Sequence, residues 1–274
     1  MADLTTLLRY PGGKQRMLSF LSSHLPPANE IEGHLIEPFV GGGAVYFYMR
    51  PKRGVLSDLN GELIALYQAL RENPTRVWHI YRSYPNTKQA YKKIRDVDLQ
   101  KLTALQRGAR LLFLNRTCFK GMWRHNRKGK FNIGYGGQSR RWCVSRKDLV
   151  FAGAALKRAK LLCADFAPII ESATPKDFLF LDPPYRPGER EQLNDHYIGK
   201  RFSFEDHCRL ADCLAAAHRR HVRWSLTISG HKDIVRLYRG FSIVAIPKGT
   251  GRKIGSLVHD SGEVLITNYS GASA

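Results

Sequence analysis

Four times along this chain a short apolar run stops on, or just before, a carboxylate. His34-Leu35-Ile36-Glu37 does so ahead of Pro38-Phe39-Val40-Gly41-Gly42-Gly43. Gly54-Val55-Leu56-Ser57-Asp58, Lys160-Leu161-Leu162-Cys163-Ala164-Asp165 and Phe178-Leu179-Phe180-Leu181-Asp182 repeat the pattern. Runs this short and this apolar suit strands buried on both faces, as in a parallel sheet covered by helices. Residues 223–229, 241–246 and 263–269 bring the candidate strands to about seven. Helical patterns lie between several of them. Ser203-Phe204-Glu205-Asp206 has the form of a capping box, with Leu210, Cys213, Leu214 and Ala217 following on one face and Arg219 and Arg220 at the far end. A capped start, an apolar stripe and cations at the C-terminus together predict a helix. The alternation predicts an α/β fold with a doubly wound, mostly parallel sheet. Ligands of such sheets bind beyond the carboxyl ends of the strands. Glu37, Asp58, Asp165 and Asp182 are therefore expected to converge on one crevice.

One interval breaks the rhythm. About a hundred residues separate Asp58 from Asp165, where a helical crossover uses a few tens. This predicts an inserted, mostly helical domain over residues 61–147, carried on a sheet domain built from 1–60 and 148–274. Charge marks the same interval. The chain has 44 Lys plus Arg against 23 Asp plus Glu, a formal charge of +21. Residues 99–147 hold 13 of those bases and no acid. Among the bases are Arg110, Arg116, Lys120, Arg124, Arg127, Lys128, Lys130, Arg140 and Arg141, interleaved with Phe119, Trp123, Phe131, Tyr135 and Trp142. Bases neutralise phosphates and release counterions, and flat rings stack on or wedge between nucleobases. A merely solvated basic face would not exclude acids so completely. The segment is expected to contact nucleic acid.

Other classes fall away. Residues 1–8 include Asp3 and lack the apolar stretch of a secretory signal. The longest apolar run, residues 149–156, is far short of a membrane span. The five cysteines are odd in number and form no Cys-x-x-Cys pair, which suits free thiols in a reducing, cytoplasmic setting and neither a disulfide framework nor a zinc site. His218 and His221, beside Arg219 and Arg220, read as a solvated helix end, and no metal is expected.

Two motifs carry chemistry. The turn at residues 41–43 lets a ligand approach the backbone, but a dinucleotide fingerprint would need a glycine where Tyr46 stands. Asp58, at the end of the next strand, is placed to accept both hydroxyls of a ribose, so a nucleoside fits better than a pyrophosphate. Pro11-Gly12-Gly13-Lys14 is no P-loop, since Leu8 and Gln15 occupy that motif's glycine and Ser/Thr places. The specific signal is Asp182-Pro183-Pro184-Tyr185. Two prolines remove two backbone donors, leaving carbonyls to face a pocket. An acid and carbonyl acceptors placed together suit an amino group, and Tyr185 offers a flat ring on which a base can lie.

In this order the motifs resemble the Dam-type (alpha-class) DNA adenine methyltransferases: Pro-Gly-Gly-Lys at 11–14, Glu-Pro-Phe-Val-Gly-Gly-Gly at 37–43, Ser-Asp-Leu-Asn at 57–60, a basic insert, then Asp-Pro-Pro-Tyr. Within the insert, Leu114-Asn115-Arg116, Gly121, Arg124, Asn126, Gly129 and Phe131-Asn132 are similar to that family's target-recognition segment. Residues 228–231 and 263–269 match its closing strands. The resemblance implies a Rossmann-like fold using S-adenosylmethionine, with S-adenosylhomocysteine as product. It implies cofactor contacts from Tyr10, Pro11, Lys14, Glu37, Phe39, Gly41, Gly43, Asp58, Asp165, Phe166 and Asp182. The target adenine would be flipped out of duplex DNA and held by Asp182, Pro183, Pro184 and Tyr185. DNA contacts would come from Arg9, Arg116, Phe119, Lys120, Met122, Arg124, Asn126, Lys128, Arg140 and Arg141. Arg124 would read a guanine edge, Phe119 would wedge into the stack, and Arg116, Lys128, Arg140 and Arg141 would hold phosphates. The chain departs from the commonest family pattern at Lys120, Met122 and Gly134, which leaves its target sequence open. A monomer, cytoplasmic and associated with the nucleoid, suffices for one pocket and one DNA face.

Two rival readings remain. One is methylation of another planar amino group, in RNA or on a protein glutamine; relatives of that kind often carry Asn where Asp182 stands. The other is a catalytically silent DNA-binding relative, against which the intact residues 182–185 and Asp58 argue.

Overall fold

The computed structural model describes residues 7–9, 14–122, 130–137, 143–185, 202–247 and 262–269. Its centre is a seven-stranded sheet: β1 (Leu35–Glu37), β2 (Gly54–Ser57), β3 (Ala159–Leu162), β4 (Phe178–Leu181), β5 (Arg223–Ser229), β6 (Ser242–Ala245) and β7 (Glu263–Thr267). Their spatial order is β3-β2-β1-β4-β5-β7-β6. The first five are mutually parallel, while β7 runs antiparallel to both β5 and β6. The mostly parallel sheet expected from the strand pattern is what forms.

Ten α-helices surround the sheet among the described residues: α1 (Leu18–Ser22), α2 (Ala44–Met49), α3 (Gly61–Glu72), α4 (Pro74–Ser83), α5 (Lys88–Arg95), α6 (Ala104–Thr117), α7 (Arg146–Leu156), α8 (Phe166–Glu171), α9 (Phe204–Arg219) and α10 (Lys232–Val235). None of them is long and apolar enough to cross a membrane. Alternation along the strands sends side chains to opposite faces. Leu35, Phe178 and Phe180 join one apolar cluster with α1 to α7, whereas Ile36, Leu179 and Leu181 join a second with α8, α9 and α10. Phe178-Leu179-Phe180-Leu181 is thus buried throughout because both of its faces are covered.

Among the described residues, helices α3 to α6 pack into one apolar cluster with the sheet. Tyr91, Phe113 and Ile133 lie in the same cluster as Leu56, Leu161 and Phe178 of the sheet. At Gly108 the contact between α3 and α6 is so close that a Cβ would stand 2.7 Å from the Ala69 Cβ. Helix α9 begins as its sequence predicts: Ser203 Oγ accepts from the Asp206 backbone N–H at 3.3 Å, and Asp206 Oδ2 accepts from the Ser203 N–H at 3.0 Å. At its far end His218 contacts Asn268.

Candidate active site

Strand order reverses between β1 and β4, which makes their carboxyl ends the walls of the ligand crevice. Glu37 ends β1. Burial pushes its carboxyl up to about 8, reinforced by the charge of Asp182 and opposed by the Tyr46 backbone N–H. Its Oε1 finds no hydrogen-bond partner among the described residues. A buried acceptor without a donor is costly unless a ligand supplies one. The turn that follows takes the left-handed backbone its glycines permit, with φ of +46° at Gly41 and +65° at Gly43. A Cβ on Gly43 would lie 2.8 Å from the Phe47 ring.

Asp58 follows β2, and its carboxylate ties the turn to the strand. It accepts from the Gly41 N–H at 3.0 Å and from the Asn60 N–H at 2.9 Å. Burial raises its carboxyl to about 6 against those two donors. Tyr67 completes the brace, donating to the Gly41 carbonyl at 2.6 Å. Beyond β3, Asp165 caps α8 by accepting from the Ala167 N–H at 3.0 Å. Arg209 of α9 grips both Asp165 oxygens, at 2.7 and 3.0 Å, while its guanidinium lies 4.2 Å from the centre of the Phe166 ring. Phe39, Phe166 and Phe202 form an aromatic cluster beside it, with ring centres 5.3–6.0 Å apart. Arg209 carried no sequence signal, because its partner lies 44 residues away.

The last carboxylate organises the densest part of the site. The register Leu181↔Leu226 sets Asp182 beside Thr227 of β5, whose hydroxyl donates to Asp182 Oδ1 at 2.9 Å. Lys14, buried with 2% of its surface exposed, places Nζ 2.8 Å from the same oxygen and 2.6 Å from the Tyr185 hydroxyl. Tyr185 in turn donates to Oδ1 at 3.3 Å. Three donors converge on Oδ1, and none among the described residues reaches Oδ2. Burial, with Asp182 and Glu263 nearby, holds the Tyr185 phenol well above its usual range, so it stays neutral. Pro183 is buried and Pro184 exposed. Glu263 also reaches this cluster, with Oε2 3.6 Å from Lys14 Nζ. Neither Thr227 nor Glu263 was singled out from sequence; Glu263 arrives because antiparallel β7 begins at the edge where the parallel strands end.

A second cluster stands at the C-terminus of α6. Asn115 clamps the backbone of Arg9, accepting from its N–H at 2.8 Å and donating to its carbonyl at 2.7 Å. The turn Phe119–Gly121 follows, with Lys120 at φ +54° and Phe119 projecting, 48% exposed. A Cβ on Gly121 would meet the Arg9 Cβ at 2.5 Å, so the Arg9 side chain passes directly over this glycine. Arg116 is half-buried; desolvation first, then the neighbouring Arg9, lowers its pKa. Met122 packs against the core beside them. Arg9 and Lys14 are five residues apart, so at about 3.8 Å per residue the two clusters stand within about 19 Å of each other along the chain. Arg110 is no surface base: 3% exposed, it pairs with Glu62 at 3.1 Å and donates to the Ile94 and Arg95 carbonyls. Tyr10, Pro11, Arg124, Asn126, Lys128, Arg140 and Arg141 lie outside the described residues.

Sheet order, the antiparallel last strand and Asp-Pro-Pro-Tyr after β4 define a Rossmann-like methyltransferase. The chain belongs to the D12 class N6 adenine-specific DNA methyltransferase family, which it matches over residues 10–249. It is 36% identical to a DNA N-6-adenine-methyltransferase of Escherichia phage P1 over 87% of its own length; the match covers 32% of that larger protein. It is 32% identical to the type II methyltransferase M.MjaIII of Methanocaldococcus jannaschii, covering 97% of this chain and 100% of the relative. Identity to the type II methyltransferase M1.LlaDCHI of Lactococcus lactis is 29%, covering 97% and 96%.

Proposed function

We propose that this chain methylates the exocyclic amino group of an adenine extruded from duplex DNA, using S-adenosylmethionine. The residues at the strand ends suit that cofactor. Glu37 Oε1 is a buried acceptor in want of a donor, the glycine turn leaves no side chain in the way, and Asp58 is placed for ribose hydroxyls. Phe39, partly exposed, supplies flat apolar surface for an adenine, backed by the buried Phe166 next to Asp165. Tyr10, Pro11 and Lys14 would close over it from the preceding segment. When bound, S-adenosylmethionine supplies an electrophilic methyl on a sulfonium and is left as S-adenosylhomocysteine.

The chain's own residues prepare the nucleophile. Asp182 Oδ2 and the Pro183 carbonyl accept the two amino hydrogens, which draws the nitrogen lone pair out of conjugation with the ring. Tyr185, held neutral, stacks on the base, and Pro184 fixes the turn. The same carboxylate faces the proton that the methylated nitrogen sheds. Positioning and preorganised charge carry the rate, with no covalent enzyme intermediate. Residues 61–147 act as the target-recognition domain, assisted by Arg9 from the first segment: Arg9, Phe119, Lys120, Met122, Arg124 and Asn126 would contact bases, and Arg116, Lys128, Arg140 and Arg141 phosphates. One pocket and one basic face suffice for a cytoplasmic monomer working on the nucleoid.

The observation that carries this reading is the crowding of three donors on Asp182 Oδ1, which leaves Oδ2 for an incoming amino group. Labelled methyl transfer to unmethylated duplex DNA, to RNA and to protein tests it. Label is expected in DNA, recovered as N6-methyladenine. Label confined to RNA or protein would replace this reading with one of its rivals.

A further inference from the structure

The reaction just described uses Asp182 and Tyr185, but nothing in it accounts for the carboxylate of Glu263. That side chain is 6% exposed at the first residue of β7, opposite Ser229 of β5. Its Oε2 accepts no hydrogen bond among the described residues, yet lies 3.6 Å from Lys14 Nζ. The same ammonium sits 2.8 Å from Asp182 Oδ1 and 2.6 Å from the Tyr185 hydroxyl. One buried cation is thus shared between two carboxylates, held tightly by the partly exposed Asp182 and loosely by the buried Glu263. A buried carboxylate oxygen with no hydrogen bond is an expensive feature to retain, and this one faces the group that crowds Asp182.

We propose that Glu263 is a positioning residue for methyl transfer, acting through Lys14; the proposal rests on the assignment of Asp182 as the acceptor of the amino group. With Glu263 charged, the Lys14 ammonium is drawn in two directions. Asp182 then keeps the net negative charge that makes Oδ2 a strong acceptor. With Glu263 neutral, Asp182 is the carboxylate left to pair with Lys14. The carboxylate is neutralised where its charge is needed, and the ammonium competes with the amino group for it. Glu263 touches neither base nor methyl donor; it sets how much of Asp182 is available. Its effect falls on turnover and not on the affinity for DNA.

Steady-state transfer of labelled methyl groups to bulk unmethylated duplex DNA tests this with the full chain. Glu263→Gln is expected to lower kcat roughly 10- to 100-fold, less than the roughly 10²–10³ lost with a donor that touches the reacting atoms themselves. KM for DNA is expected to stay within about threefold of the parent on the same logic. Glu263→Asp, which keeps the charge, recovers most of the loss. In a Lys14→Met background, adding Glu263→Gln costs less than about twofold more, because the residue it acts through is gone. Should glutamine not be tolerated at this buried place, Glu263→Asp alone reads the shift, as a several-fold fall in kcat at constant KM. Unaltered kcat in Glu263→Gln, equal losses in the Gln and Asp variants, or multiplicative losses with Lys14→Met would overturn the role of Glu263. No transfer by the parent chain would overturn the underlying reading as well, so the two failures are told apart.

Discussion

Asp182 is held by one oxygen and works with the other. Thr227 contributes a charge-assisted hydrogen bond to Oδ1, an interaction worth about 1.5–3 kcal/mol. Thr227→Val, of nearly the same shape, is expected to lower kcat about tenfold or more while leaving S-adenosylhomocysteine affinity unchanged; Thr227→Ser is expected to restore turnover. Steady-state kinetics beside calorimetry checks both. Asp58 carries a pH dependence of its own. With its carboxyl near 6 in the folded protein, it loses an acceptor as pH falls through 6, so cofactor affinity is expected to be level above pH 7 and to weaken below 6. Calorimetric titration across that range reads it, and Asp58→Asn is expected to abolish the pH step. Glu37 acts on stability with the opposite slope. Its folded carboxyl is raised from 4.5 to about 8, so the folded state binds the extra proton; the stability this provides is complete below 4.5 and is lost as pH rises through 8. Glu37→Gln is therefore expected to melt near the parent at pH 5 and above it at pH 8, by on the order of a few kcal/mol. Glu37, Asp58 and Asp182 were legible in sequence because each ends an apolar run. Thr227 and Glu263 were not, since their place depends on the register of β5 and the direction of β7, which local sequence does not encode.

Helix α6 connects recognition to chemistry. Its last turn presents Asn115 to the Arg9 backbone and leads into the Phe119–Gly121 turn, and its flank at Gly108 lies directly on α3. A valine at 108 would need that interface to open. Gly108→Val is expected to cost about 1–3 kcal/mol despite replacing a helix-breaking glycine, read as a lower Tm with m unchanged in chemical denaturation. The capping box at 203–206 was readable because both partners of each hydrogen bond lie within four residues. The burial of Arg110 was not, because Glu62, Ile94 and Arg95 reach it only through packing of α3, α5 and α6. For the same reason the basic insert is legible as a segment, while its sharing of one apolar cluster with the sheet is not.

Over the whole molecule, +21 of formal charge, 13 bases of it in residues 99–147, makes association with DNA strongly salt-dependent. If the basic face meets about six to ten phosphates, raising salt from about 50 to 200 mM is expected to weaken DNA binding by roughly 10³ or more. Cofactor affinity, set at the strand ends, is expected to hold. Fluorescence titrations at both salt levels separate the two. The fold class, strand positions and basic segment could all be read from the chain, because apolar runs, carboxylates and charge are local features; how an ammonium is divided between two acids could not. The central claim is that Asp182 binds an amino group for methyl transfer and does not merely hold the site together. Asp182→Ala measures it directly: Lys14 keeps Glu263 and Tyr185 as neighbours, so the variant is expected to fold and to keep DNA and S-adenosylhomocysteine binding largely intact. Its transfer of labelled methyl to duplex DNA is expected to fall by roughly 10³-fold or more. Transfer at the parent rate by that variant would contradict the account.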